Sequence, residues 1–279
     1  MMTRLILRIL ALCLLGLSSL EVVAQERTVQ NRPYTDLRTF HFGVLVGTHL
    51  QDLELLNSGP TTIDVEDGRG PVERTVSVDQ DRWDAGFTVG VLGELRLNQT
   101  FQLRIAPAMY FGTRHLTFRN ITDVNALGEP TIQTQDLKTA YVGCALDLIA
   151  AGPRFNNHRP YLMAGVNPMI NLSGKDNDYI KLKRSDVFLE VGVGCDFYLP
   201  FFKLRPELKF MYSLGDCLDK KHADQVRDKN MLVYAKSVSE AHSKMIALII
   251  LLTKSVRAVA DHYFRDPQAF HMFQMPEIK

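Results

Sequence analysis

An excess of charge of either sign is missing from this chain. Lys and Arg number 32 against 31 Asp and Glu, for a formal net charge of +1. That excludes the broad basic field on which bulk nucleic-acid binding rests. Cysteine is scarce, and Cys13, Cys144, Cys195 and Cys217 stand at irregular spacing, so no disulfide framework is expected. The eight histidines include no HExxH-type pair, and neither a metal nor any other cofactor is expected. Long apolar runs are absent after the N-terminus. Mean hydropathy is −0.06, and no window of about 18 apolar residues exists there to form a transmembrane helix. Glycine and proline are missing from Asp216 to Asp266, which leaves helix and strand both open for that end.

What is present begins with an export signal. Arg4 and Arg8 precede an apolar run from Leu10 to Leu17, and Val22-Val23-Ala24 leads to a cut near Gln25. The run is too short and wrongly flanked for a spanning helix. Leu12 before Cys13 argues against a lipoprotein. The expected organisation is a signal peptide (1–24), a periplasmic N-terminal segment (25–39), a barrel (40–254) and a periplasmic C-terminal tail (255–279).

The segment GFTVGVLGELRLNQTFQLRIAPAMYFG, Gly86 to Gly112, carries the fold signal. It is two period-2 arms of about 11 residues joined at Asn98-Gln99-Thr100. Sandwich strands average roughly 5–6 residues, whereas a barrel strand that crosses a bilayer needs roughly 9–11, apolar outside and polar inside. Six further strands follow the same pattern: Phe40–Thr48, Thr134–Ile149, Arg159–Asn167, Ser185–Leu199, Phe202–Leu214 and Ser243–Lys254. Pro107 and Pro206 fall inside two of the strands, where bulges are expected. Connections alternate between short (98–100, 150–158, the Pro200 turn) and long (50–83, 113–133, 168–184, 215–242). The expected fold is all-β: an eight-stranded antiparallel transmembrane β-barrel with long external loops and both termini in the periplasm. A short helix is expected at Val256–Phe264, after the closing strand.

The lumen face predicts a charge network of Glu94, Arg96, Arg104, Asp147, Glu190, Asp196, Lys203, Arg205, Glu207 and Lys209. An eight-stranded barrel is just wide enough for side chains to fill it, and unpaired buried charges are costly. A salt-bridged plug is therefore expected rather than a polar pore. Cys144 and Cys195 fall on outward apolar positions. Asp64, Glu66, Asp67 and Gly68 form one acidic loop and Asp176-Asn177-Asp178 another. Neither has EF-hand spacing, and both read as solvated loops. His115, Ser185 and Ser213 lie near strand ends, but nothing in their spacing builds a Ser–His–Asp set, so no catalytic residue is expected.

The segment GFTVGVLGELRLNQTFQLRIAPAMYFGTRHLTF resembles the corresponding strand–turn–strand of the PorT family of the Bacteroidetes type IX secretion system. The matching features are Gly86-Phe87, Gly90, Glu94, Arg96-Leu97-Asn98, Leu103-Arg104, Pro107, Phe111-Gly112, Arg114 and Leu116. FHFGVLVGTHLQDLEL and SKMIAL are similar to that family too. The chain departs from its pattern in carrying 255–279 after the closing strand. The resemblance implies a non-enzymatic outer-membrane barrel serving as a structural or assembly component of protein secretion. Its implied partners are outer-membrane lipid and other secretion-system proteins, with no nucleic acid. A small porin or adhesin-type barrel that binds an external ligand is the alternative, and a lipid A-modifying barrel enzyme a third reading.

Overall fold

Residues 29–64, 71–124, 127–174, 178–225 and 229–255 are described by the structure, a computed structural model. The expected signal peptide, the tail beyond Ser255 with its expected helix, and Glu66, Asp67, Gly68, Asp176 and Asn177 of the two acidic loops lie outside them.

A 3-10 turn, Thr35–Leu37, precedes β1 (Phe40–Asn57). Then come β2 (Pro60–Asp64), β3 (Pro71–Trp83), β4 (Ala85–Arg96), β5 (Phe101–Val124) and β6 (Pro130–Ala151). After these come β7 (His158–Asn171), β8 (Ser185–Tyr198), β9 (Lys203–Ser213), α1 (His222–Gln225), α2 (Lys229–Ala235) and β10 (Val238–Ser255). Eight strands close on themselves. β1 pairs with β4, each strand from β4 to β9 pairs with the next, and β10 returns to β1, all antiparallel. Closure leaves no free edge around the ring, which is what a wall surrounded by hydrocarbon requires.

The wall is apolar outside. Phe42, Val44 and Val46 on β1 are exposed, as are Phe87, Val89 and Val91 on β4 and Leu103, Ile105 and Met109 on β5; Ile246, Leu248 and Ile250 complete the pattern on β10. On β5 the outward apolar run spans Phe101–Phe111. At about 3.4 Å per residue and a tilt of about 40° it rises about 26 Å, close to the roughly 25 Å apolar band of outer-membrane barrels. Cys144 is exposed on this surface and Cys195 partly so.

The closing strand wins over helix in the segment without glycine or proline. Met245, Ala247, Ile249 and Leu251 point inward and their neighbours outward. Both edges of β10 are paired, from His41↔Ser255 along β1 and from Lys244↔Tyr212 along β9. Helical structure in this end is confined, among the described residues, to α1 and α2.

Two expectations need correction. The connection 50–83 is not an irregular loop. β1 continues to Asn57, and β3 pairs with the far half of β5, from Val76↔Asn120 to Trp83↔Arg114, just beyond the β4 pairing that ends at Phe87↔Phe111. β3 and β4 thus act as one long strand interrupted at Asp84, with β2 paired on the outer edge of β3. Likewise most of 113–133 is sheet, because β5 and β6 stay paired as far as Val124↔Pro130. These strands were disguised because their outward side chains (Asp79, His115, Asp136) meet water instead of lipid. Second, Pro107 and Pro206 make no bulge. Register is kept, and pairing simply lapses beside each: between Gly90↔Ala108 and Gly93↔Ile105, and between Gly194↔Glu207 and Phe197↔Leu204. The missing proline N–H removes ladder bonds to one neighbour, while the opposite side still pairs, as Pro107↔Cys144 and Pro206↔Ile250.

Candidate functional site

The interior is filled from the turn end, where the chain enters β1 and leaves β10, to the loop end. At the turn end Asp36 sits between cations. Tyr198 Oη donates to Asp36 Oδ1 at 2.6 Å. Arg159 Nη1, Lys203 Nζ and Arg154 Nη1 stand 3.7, 3.8 and 3.8 Å from its carboxylate. Arg96, half-buried at this rim, donates to the Asp36 carbonyl at 2.9 Å. The guanidinium of Arg154 stacks 3.7 Å over the Tyr198 ring.

The next layer holds the interlocked pairs. Arg104 Nε donates to Glu94 Oε1 at 2.8 Å and Arg104 Nη1 to Glu207 Oε2 at 2.7 Å. Arg205 bridges Glu94 and Asp196, the latter at 2.5 Å, and Lys203 Nζ reaches Asp196 Oδ2 at 3.4 Å. Tyr161 Oη donates to Glu207 Oε2 at 2.7 Å, its ring lying where a side chain on Gly194 would collide at 2.3 Å. Above it Lys209 Nζ collects Glu190 at 3.0 Å, Asp147 at 3.4 Å and Glu207 at 3.5 Å. Asn167 Nδ2 donates to the other Glu190 oxygen at 3.2 Å. Nine of the ten expected lumen residues are therefore in mutual contact and buried, while Arg96 stands apart at the rim.

Next come His49 with Thr88 Oγ1 and Gln51 Nε2, each at 2.8 Å, and Thr139 donating to Gln51 Oε1 at 2.7 Å. Arg114 Nη2 donates to Ser243 Oγ at 2.5 Å. At the loop end a second apolar core begins: Leu53, Val76, Val78, Leu116, Phe118, Leu137, Ile180, Leu182, Cys217, Leu218, Val233, Val238 and Ala241. It joins β1, β3, β5 and β6 to α2 and the segments around Ile180 and Cys217. Burial pushes the Cys217 thiol up to about 12. Asp216 pins this cap. Its carboxylate accepts the N–H groups of Leu218 at 3.0 Å and Ala241 at 3.1 Å and pairs with Lys220 at 3.1 Å. Partial burial works to raise its pKa, but the two backbone donors and the Lys220 contact outweigh it and hold the group below the ordinary carboxylate range.

Sequence reasoning missed Asp36, Tyr161, Asn167 and Arg159 as members of the polar interior. Tyr161, Arg159 and Asn167 occupy inward positions of an expected strand and were legible there. Asp36 lies before the first strand, where no periodicity marks it.

Residues 23–219 match the family described as outer membrane protein beta-barrel domain. The chain belongs to this family. It is an outer-membrane protein, and its exposed apolar wall is the surface that meets lipid. A search of curated proteins finds no match. Among solved structures it is similar to OprG of Pseudomonas aeruginosa, at 13% identity and a TM-score of 0.40, with 78% of this chain and 98% of that one covered. It is similar also to Neisserial surface protein A, at 13% identity and 0.35, covering 76% and 96%. A third is Ail of Yersinia pestis, at 12% and 0.32, covering 77% and 99%.

The buried carboxylates are engaged by cations, His115 is tied to Asp136, and Ser213 Oγ donates to Asp186 at 2.7 Å. Among the described residues no group of three His, Cys, Asp or Glu side chains is placed to hold a metal.

Proposed function

We propose that this protein is a sealed outer-membrane barrel that works through its loop end, which faces out of the cell and binds an external ligand. The observation that carries this reading is the cap. β5 runs twelve residues beyond Gly112, reaching about 30 Å past the apolar band, and its inner face is packed into a separate apolar core. A transport pore has no need of such a platform, and a lumen occupied by ion pairs leaves no path for solute. The binding alternative is therefore favoured over a porin. Both termini lie in the periplasm on this reading, with 1–24 removed on export.

A role in type IX secretion is the second reading, supported by the PorT-like residues between Gly86 and Leu116. A strain lacking β2 and β3 but keeping the ring separates the two. Loss of surface adhesion or ligand binding with normal export supports the first, and retention of secreted cargo supports the second. Steady ion conductance of the purified protein in planar bilayers, or altered lipid A in a deletion strain, would overturn the first.

A further inference from the structure

β6 has a free edge at the loop end. Its 22 residues run from Pro130 to Ala151, but β7 pairs only with Tyr141–Ala151, whereas β5 accompanies β6 along its whole length. The parity of the backbone is settled at both ends. Ala151 N–H donates to Thr100 on the β5 side, Gly152 N–H to Pro160 on the β7 side, and Ala140 accepts from Leu172 N–H and donates to Ser173 Oγ, again on the β7 side. Register is unbroken from Phe101↔Ala150 to Asn120↔Thr131. Even-numbered residues therefore turn their N–H and C=O away from β5. Beyond Ala140 these are Lys138, Asp136, Thr134 and Ile132, all exposed, and no backbone partner joins them among the described residues.

Another sheet edge in this cap is β2, which is five residues long and begins with Pro60. Short length and proline are ways in which proteins blunt an edge. β6 also begins with a proline, Pro130, but it is 22 residues long, Thr131-Ile132-Gln133-Thr134-Gln135 carries neither proline nor charge, and its first charge is Asp136.

We propose that this edge is a docking site for an extended peptide segment of an external protein, added as a further strand beside Ile132–Lys138. Main-chain hydrogen bonds supply affinity in such an addition, and alternate side chains supply selectivity. The peptide would be period-2, with apolar residues on the side of Leu137 and Ile180 and a basic residue beside Asp136. A second copy of this chain is a poor occupant. Barrel strands tilt roughly 35–45° from the membrane normal, so two β6 strands related by a rotation about that normal cross at roughly 70–90° and cannot pair along their length. The proposal rests on the loop end facing outward.

The test uses the full barrel reconstituted in lipid nanodiscs and a fluorescent ten-residue peptide alternating valine with threonine and lysine. Backbone hydrogen exchange comes first: the amides of 132, 134, 136 and 138 are expected to exchange at least tenfold faster than those of 133, 135 and 137. Peptide should then slow the even set alone. Thr134→Pro removes an outward N–H and leaves the β5 ladder intact, a change edge strands tolerate. It should weaken binding about three- to tenfold, as one lost hydrogen bond implies. Slow exchange at the even amides of the free protein would overturn the proposal. So would absence of binding at 1 mM peptide, or binding that leaves their exchange unchanged. Labelling of a Thr134→Cys variant in intact cells tests orientation separately: binding in nanodiscs with no labelling in cells would defeat the outward loop end and leave the edge standing.

Discussion

Replacing Arg104 with Met tests whether the lumen is a dry, interlocked plug. Arg104 makes two charge-assisted bonds, to Glu94 at 2.8 Å and Glu207 at 2.7 Å, and all three side chains are fully buried. Met keeps most of the volume and removes the charge. Glu94 would keep only Arg205, and Glu207 would keep Tyr161 and the more distant Lys209. Breaking a buried pair by removing one partner costs about 3–5 kcal/mol, because a desolvated charge remains. Urea unfolding in lipid vesicles, followed by the gel shift between folded and unfolded barrel, reads the loss. Adding Glu207→Gln to Arg104→Met should recover part of it, since the uncompensated carboxylate is then neutral. A loss below about 1 kcal/mol for the single variant, with no recovery in the double, would mean that water solvates these groups and that the lumen is wet.

Val91→Arg places a charge on the outward face near the middle of the apolar band and should cost about 2–4 kcal/mol of barrel stability in the same assay; unchanged unfolding would show that this face does not meet lipid. Cys144 should react with a membrane-soluble maleimide and resist a charged one, while Cys217 should resist both until the cap unfolds; rapid charged labelling of either would contradict its placement. The depressed pKa of Asp216 stabilises the cap fully above the unfolded carboxylate range, and that contribution disappears as pH falls through its lowered native value. Labelling of Cys217, normalised to that of the unfolded protein at the same pH so that the falling thiolate fraction cancels, should accordingly rise on acidification, and Asp216→Asn should flatten that response.

The ring of strands was legible because a wall between lipid and a narrow interior must alternate at every second residue. Phe87, Val89 and Val91 against Thr88 and Glu94 can satisfy both solvents in one way only. The lumen charges were legible for the same reason, since a carboxylate on the inward parity has nowhere else to go. Outside the bilayer that constraint disappears. The outward faces of β3 and the far halves of β5 and β6 meet water, and Asp79, His115 and Asp136 look like loop residues although they lie on sheet. Asp36 has no periodicity around it, and only the closing of the chain across the turn end sets it among Tyr198, Arg159 and Lys203. Parity along each strand is a local property that the amino-acid order determines by itself. Which charges meet across the barrel, how far the sheet continues above the membrane and which edge of it stays unpaired depend on strands far apart in the chain, and were decided only when the ring closed.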